Sequence, residues 1–365
     1  MWAEKPPFSQ ADRASRPGAG LLVSTLFQML IVVCACLSAA PGAAWAQVSQ
    51  GAGGPLRVCI VHSYHPDYGW TQQINKGVYE ALAGLNISYS VLYLDAKRQH
   101  ELQRLQQAGR EMARTIAGME PDAVVAADDA VQEYVVSPHL KGGITPQVIF
   151  CGVNAPPERY GYPAANVSGV RERFHFREGV ALAKRILPQA TNIAYLFDAS
   201  ETSLFLRQDM ARDVAEGGPY ALVQQSLNCA VTYQQWQRRV LDLQAQADVL
   251  GLALYHSLKD EQTGRAVPAA EVAEWTHSVN TKPTLGFADF SVDHHVLCGV
   301  LESGYEQGFL AGQMVREVLV GRIAAGALPM RVNESGIVML NLKTAESLGL
   351  DIPYDVIEAA AVVVH

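Results

Sequence analysis

Residues 56–70 read LRVCIVHSYHPDYGW. Leu56–Ser63 is a short, nearly continuous apolar run rich in Val and Ile, the pattern of a strand buried on both faces. A polar and aromatic tip follows, His62-Ser63-Tyr64-His65-Pro66-Asp67-Tyr68-Gly69-Trp70. Helical spacing then runs over Trp70–Gly84. Strand, polar tip and helix form one unit, and the rest of the chain repeats it.

Working outward, strands are expected at Ile87–Leu94, Asp122–Ala127, Gln147–Val153 and Val167–Val170, separated by helical segments at Gln99–Met119 and near Ala130–Tyr134. A second series alternates helices at Arg177–Leu187, Thr202–Glu216, Tyr233–Ala247 and Val267–Asn280 with strands at Asn192–Phe197, Tyr220–Leu227, Val249–Leu254 and Pro283–Phe287. Such alternation predicts parallel sheets with helices on both faces. The tail adds a long helix over Ser303–Val320, a linker at Gly326–Pro329, a strand at Ile337–Leu342 and a short helix closed by Gly349. It returns to structure already built, so more than one crossing joins the lobes. The expected fold class is α/β, with two doubly wound parallel-sheet lobes joined by a multi-segment hinge and a ligand cleft between them. The boundaries are a signal peptide at 1–46, a flexible leader at 47–55, and an N-terminal lobe over 56–172 to which about 289–325 returns. The C-terminal lobe covers 173–288, with about 330–365 returning to it.

The leader reading rests on Lys5, Arg13 and Arg16, an apolar run from Leu21 to Leu37, and the small-x-small site Ala44-Trp45-Ala46. Export to the periplasm follows. Val33-Cys34-Ala35-Cys36 resembles a weak lipobox; if it is used, Cys36 carries lipid and tethers the protein to a membrane. Across all 365 residues the net charge is -8, hydrophobic residues make up 49% and charged residues 18%, a balance that excludes a disordered tail and lacks the basic face of a nucleic-acid binder. Cys59, Cys151, Cys229 and Cys298 lie beyond the leader without CxxC or metal spacing, and no disulfide is assigned.

In open parallel sheets, ligands bind outside the carboxyl ends of the strands. The residues there are Ser63, Tyr64 and Trp70 after the first strand, Asp128 and Asp129 after the third, and Asn154 after the fourth. In the second series they are Asp198, Ser200 and Thr202, then Tyr255, then Asp289. Hydroxyls, amides, carboxylates and rings together orient a small polar molecule and bury its apolar part. Asp128, Asp198 and Asp289 suit a ligand ammonium. The helix starts after Asp198 and Asp128 present N–H groups suited to a ligand carboxylate. Equally, Ser200, Thr202 and Asp129 suit simple helix caps, and Trp70 suits packing.

His62-x-x-His65 lacks a third ligand nearby, and neither it nor His294-His295 defines a metal site. No G-x-S-x-G elbow, dinucleotide fingerprint or phosphate loop occurs. No cofactor and no catalytic residue is therefore assigned. The rival reading is a secreted α/β enzyme using Asp128 or Cys151.

The segments Val61–Pro66, Trp70-Thr71, Ile74–Gly77, Pro121–Ala126 with Asp128-Asp129, Val148–Asn154, Asn166–Val170 and Leu340–Ala345 with Leu348-Gly349-Leu350 and Ile352-Pro353 together resemble the substrate-binding proteins of ABC transporters with the type I periplasmic-binding-protein fold. The resemblance runs from about Leu56 to Ala360. It implies two lobes joined by a three-stranded hinge that close over an amino acid or other small organic solute, some of them aromatic. The partners implied are a small-molecule ligand and an ABC permease, or alternatively a membrane sensor kinase, with the protein itself a monomer. By position, Ser63, Tyr64, Asp128, Asn154, Asp198, Ser200, Thr202, Tyr255 and Asp289 match the family's cleft tips.

Overall fold

The computed structural model describes residues 54–96 and 101–365; the expected signal peptide, Cys36 and most of the 47–55 leader lie outside the described residues. In chain order, β1 (Leu56–His62), α1 (Gly69–Ala81), β2 (Ile87–Tyr93), α2 (Leu102–Met119), β3 (Ala123–Ala127), α3 (Asp128–Val131), β4 (Gln147–Val153) and β5 (Val167–Arg171) build the first lobe. The chain then crosses over. The second lobe contains α4 (Phe176–Ile186), β6 (Asn192–Asp198), α5 (Glu201–Gly217), β7 (Val223–Ala230), α6 (Tyr233–Gln244), β8 (Val249–Leu252), α7 (Ala269–Val279), β9 (Thr284–Gly286) and β10 (Cys298–Leu301). Next, α8 (Gly304–Gly321) and β11 (Arg331–Val332) return to the first lobe. Finally β12 (Ile337–Asn341), α9 (Leu342–Ser347), α10 (Tyr354–Ala359) and β13 (Val362–Val364) end in the second.

The first sheet has the order β11-β5-β4-β3-β1-β2 and the second β13-β12-β10-β9-β8-β6-β7. Pairing is parallel except where β10 meets β12. All five residues of β3 are buried, as are the last five of β1, because helices cover both faces of the sheet. Ser200, Thr232, Ser303 and Asn341 cap α5, α6, α8 and α9 through side-chain oxygens that accept backbone N–H groups. No helix among the described residues is long and apolar enough to cross a membrane.

Three differences from the sequence expectation matter. The strand expected at Tyr220–Leu227 lies at Val223–Ala230. Residues 289–301, expected to return to the first lobe, belong to the second, because Cys298–Leu301 pairs with both β9 and β12. That strand has only four residues, includes Gly299, and is preceded by a single 3-10 turn at Asp289–Val292, so it carried little periodic signal. Ile352-Pro353, which reads as the opening of a final strand or turn, instead precedes the helix α10, and the strand β13 comes only after it.

The chain crosses between the sheets three times, at 172–175, 302–303 and 333–336. Asn333, 1% exposed, ties the first and third crossings together. Its Oδ1 accepts from the Arg173 backbone N–H at 2.6 Å, and its Nδ2 donates to the Arg173 carbonyl at 3.1 Å.

Candidate functional site

A cleft of about 710 Å³ opens where the carboxyl ends of the two sheets face each other. Its walls come from both lobes and from two of the crossings. Eight of the expected residues line it: Tyr64, Trp70, Asp128, Asn154, Asp198, Ser200, Thr202 and Asp289.

On the first lobe, the Tyr64 and Tyr68 rings meet edge to face at 5.2 Å. Trp70, at the start of α1, donates its Nε1–H to Asp128 Oδ1 at 2.8 Å. Asp128 adopts a left-handed conformation, φ 66°. Aspartate tolerates it better than most residues. Gly152 on β4 makes room for it, since a Cβ there would lie 2.8 Å from Asp128 Oδ1. Asn154 donates its Nδ2–H to Glu172 Oε2 at 3.0 Å, while its own Oδ1 is buried without a hydrogen-bond partner.

On the second lobe, Asp198 is 1% exposed and gathers the surrounding donors. Its Oδ1 accepts the Ser200 backbone N–H at 3.1 Å, the Ser200 hydroxyl at 2.6 Å and the Ser203 hydroxyl at 2.7 Å; its Oδ2 accepts the Ser257 N–H at 2.9 Å. Burial opposes ionisation, but these hydrogen bonds outweigh it and hold Asp198 below the usual carboxylate range. The start of α5, expected to offer donors to a ligand carboxylate, thus has several of them committed to the protein's own carboxylate. His256 and Phe290 complete this wall, their rings edge on at 4.5 Å.

Sequence reasoning missed the two carboxylates at the crossings. Glu172 follows β5 and Glu302 follows β10, and they are 6% and 3% exposed. Neither Glu302 carboxylate oxygen has a hydrogen-bond partner of normal geometry. Burial pushes Glu172 well above the ordinary carboxyl value, reinforced by Asp128 and Asp129. Glu302 is raised likewise by burial, then by Glu172. Tyr68, Phe174 and His256 also line the cleft without having been singled out as ligand residues. For Glu172 the available signal was its place after Val167–Val170. For Glu302 there was none until β10 was known.

Three expected residues lie outside the lining. Ser63 is fully buried and clips β1 to the turn after β3, its hydroxyl donating to the Ala127 carbonyl at 2.9 Å and accepting the Val131 N–H at 3.0 Å. Asp129 accepts the Asn154 and Ala155 N–H groups, both at 3.1 Å, and the Tyr160 hydroxyl at 2.9 Å, so it shapes the loop that carries Asn154. Tyr255 packs on Trp236, and its hydroxyl meets His294 Nδ1 at 2.7 Å beside a separate cavity of about 520 Å³ in the second lobe.

Among the described residues no cluster of metal-ligating side chains occurs. His62 Nε2 lies 2.8 Å from Asn75 Oδ1, and burial pushes the imidazole down to about 4. Cys151 is fully buried and its thiol is held well above the usual range, first by burial and then by Asp128 and Glu172. That environment suppresses the thiolate a nucleophile requires. The four described cysteines are free.

Two ion pairs bridge the lobes beside the cleft. Arg159 pairs with Glu201, both well exposed at 38% and 60%, and Arg171 pairs with Asp209 at 18% and 15%.

No protein-family model matches this sequence. A tyrosine-binding protein of Clostridioides difficile is 23% identical over 191 residues, which is 52% of this chain and 51% of that protein, so the chain spans about half the length of this curated relative. Among solved structures, the ligand-free, open form of a substrate-binding protein with adhesive properties from Clostridium difficile superposes with TM-score 0.62 and 17% identity, covering 85% of this chain and 99% of that one. An ABC domain from Streptococcus pneumoniae in complex with L-Trp gives TM-score 0.61 and 19% identity, covering 85% and 100%. A conserved domain protein from Vibrio cholerae gives 0.59 and 20%, covering 84% and 99%. The fold is accordingly the two-lobed α/β fold of type I periplasmic binding proteins.

Proposed function

We propose that this chain is an exported solute-binding protein without catalytic activity. It captures a small organic ligand bearing an amino group and a flat apolar part, an amino acid or a related compound, by closing its lobes. It works in the periplasm and delivers the ligand to an ABC permease. The observation that carries this is the cleft of about 710 Å³, walled by rings and carboxylates from both lobes and from the crossings between them. That volume falls in the range of roughly 300–1,000 Å³ typical of small-molecule sites. The Clostridioides difficile relative binds tyrosine and the Streptococcus pneumoniae neighbour holds L-Trp, which supports an aromatic ligand.

The fold explains how capture works. A ligand touching both lobes binds the closed arrangement better than the open one, and only that difference in affinity drives closure. The closed surface is what a membrane partner reads.

A thermal-shift screen over amino acids, their amines and small organic acids tests the proposal. A ligand present at 100 times its Kd adds about 2.7 kcal/mol of stability. Absence of a shift from every class would sink the reading. Co-purification from membranes separates the partners: recovery of a permease supports delivery, and recovery of a histidine kinase in its place makes the protein a sensory subunit.

A further inference from the structure

The second lobe holds a cavity of about 520 Å³ apart from the cleft. It exists because the helical cover of that sheet is short. α9 has only six residues and gives way to Gly349, whose φ of 63° suits few other residues. Between α9 and α7, Leu252 of β8 and Thr284 of β9 are left facing a space. A layer of rings divides this space from the cleft. Tyr255 and His294 line the cavity, while His256 and Phe290 line the cleft. Tyr255 stacks on His256 at 5.3 Å, and Phe290 meets Tyr255 edge on at 5.3 Å. The volume lies within the roughly 300–1,000 Å³ typical of small-molecule sites.

The lining is rich in rings: Trp236, Tyr255, His277, His294 and His295. His277 and His295 stack at 4.3 Å with 13° between their planes. The charged groups at the edge already have counter-charges. His295 Nε2 lies 3.1 Å from Glu274 Oε2. Asp248, held below the usual carboxylate range chiefly by the Thr191 N–H and hydroxyl, also answers the charge of Lys282. The lining hydroxyls are turned one way. Ser278 donates to the Trp275 carbonyl at 2.7 Å, Thr281 to Gln244 Oε1 at 3.0 Å, Thr344 to the His295 carbonyl at 3.0 Å and Ser347 to the Thr344 carbonyl at 2.8 Å. With its proton given away, each hydroxyl offers the cavity an acceptor lone pair.

We propose that this cavity is a second binding site, for a neutral, flat heteroaromatic molecule of the purine-base kind, whose amino or ring N–H groups donate to the hydroxyl oxygens and whose ring lies against the imidazoles and the indole. Its ring nitrogens accept from Lys282 and the imidazole N–H groups. A carboxylate there would face the hydroxyl lone pairs, and an ammonium would face Lys282. The site is independent of what the cleft binds.

Isothermal titration of the full chain at neutral pH with adenine, benzoate and benzylamine compares flat probes that are neutral, negative and positive. Adenine should bind about tenfold or more tightly than either charged probe. Two plugs locate it. Ser347, on α9, is exposed, and Ser347→Trp fills the cavity from its rim; Thr202→Trp fills the cleft. Adenine should weaken at least about tenfold in Ser347→Trp and change by less than about twofold in Thr202→Trp, with far-ultraviolet circular dichroism retained in both. His277 is exposed as well, and His277→Ala should weaken adenine about two- to tenfold through the lost ring contact. If Ser347→Trp fails to fold, His277→Ala carries the test. Absence of adenine binding would overturn the inference, as would a charged probe binding equally well. Binding retained in folded Ser347→Trp, or lost as fully in Thr202→Trp, also overturns it. Each of these outcomes leaves the solute-binding reading of the cleft standing.

Discussion

Glu302 is a carboxyl group with a place and no local reason for it. Its neighbours Cys298–Leu301 are a buried strand, and Ser303 caps the helix that follows. The side chain between them is 97% buried without a hydrogen bond of normal geometry. Charged, such a desolvated group is costly to the fold. Its folded value lies well above the ordinary carboxyl value of about 4.3, because burial and Glu172 disfavour the charge. Above that ordinary value the unfolded chain has released the proton while the folded chain still holds it. Unfolding then sheds protons, so this group's contribution falls as pH rises through the window between the two values. Glu302→Gln carries no such penalty. Ligand-free Glu302→Gln should melt higher than the parent at pH 8, with a smaller gap at pH 5. A calorimetric gap that shrinks as pH rises would refute this account.

The pairing of α1 with α8 sets where the site's first wall stands. Gly304, Gly308 and Gly312 recur every fourth residue and so share one face of α8. A Cβ at Gly308 would lie 2.1 Å from the Ile74 carbonyl oxygen, and one at Gly304 only 3.0 Å from the Trp70 ring. The absent side chains let the two helices approach backbone to backbone at Gly308, and the contact at Gly304 seats Trp70, which holds Asp128. Gly308→Ala should therefore force the helices apart and cost about 1–3 kcal/mol. Gly118 on α2 is exposed, and a Cβ there meets nothing within 4 Å. Gly118→Ala should stabilise by about 0.4–1 kcal/mol. Urea denaturation of both variants checks the contrast, and equal effects would show that close packing at α8 is not the cause.

Over the whole molecule, closure is a matter of what spans the two lobes. The first and third crossings are tied by Asn333, and two ion pairs of different exposure join the lobes. An exposed pair such as Arg159–Glu201 contributes about 0–1 kcal/mol. Arg171–Asp209 is less than one-fifth exposed on either side, so its loss leaves a charge with less water to compensate it. Asp209→Asn should accelerate ligand release more than Glu201→Gln does, with association rates nearly unchanged. Stopped-flow displacement measures both, and a larger effect from Glu201→Gln would contradict the ranking.

Several features of this protein were legible residue by residue. The alternation of buried strands with helices is a local property, because a strand covered on both faces must be apolar throughout, as Ala123–Ala127 is. The tips follow from that alternation, which is why Tyr64, Trp70, Asp128, Asn154, Asp198, Ser200, Thr202 and Asp289 could be named and found around one cleft. Which tip residues turn inward was decided elsewhere. Ser63, Asp129 and Tyr255 sit at the right ends of the right strands but are claimed by neighbouring backbone or by the core. Glu172 and Glu302 are ordinary acidic residues in the sequence, 130 positions apart. Only the return of the chain through three crossings brings both into one cavity. Their burial and their altered ionisation are consequences of that meeting, since desolvation and charge repulsion depend on distance in space and not on order along the chain.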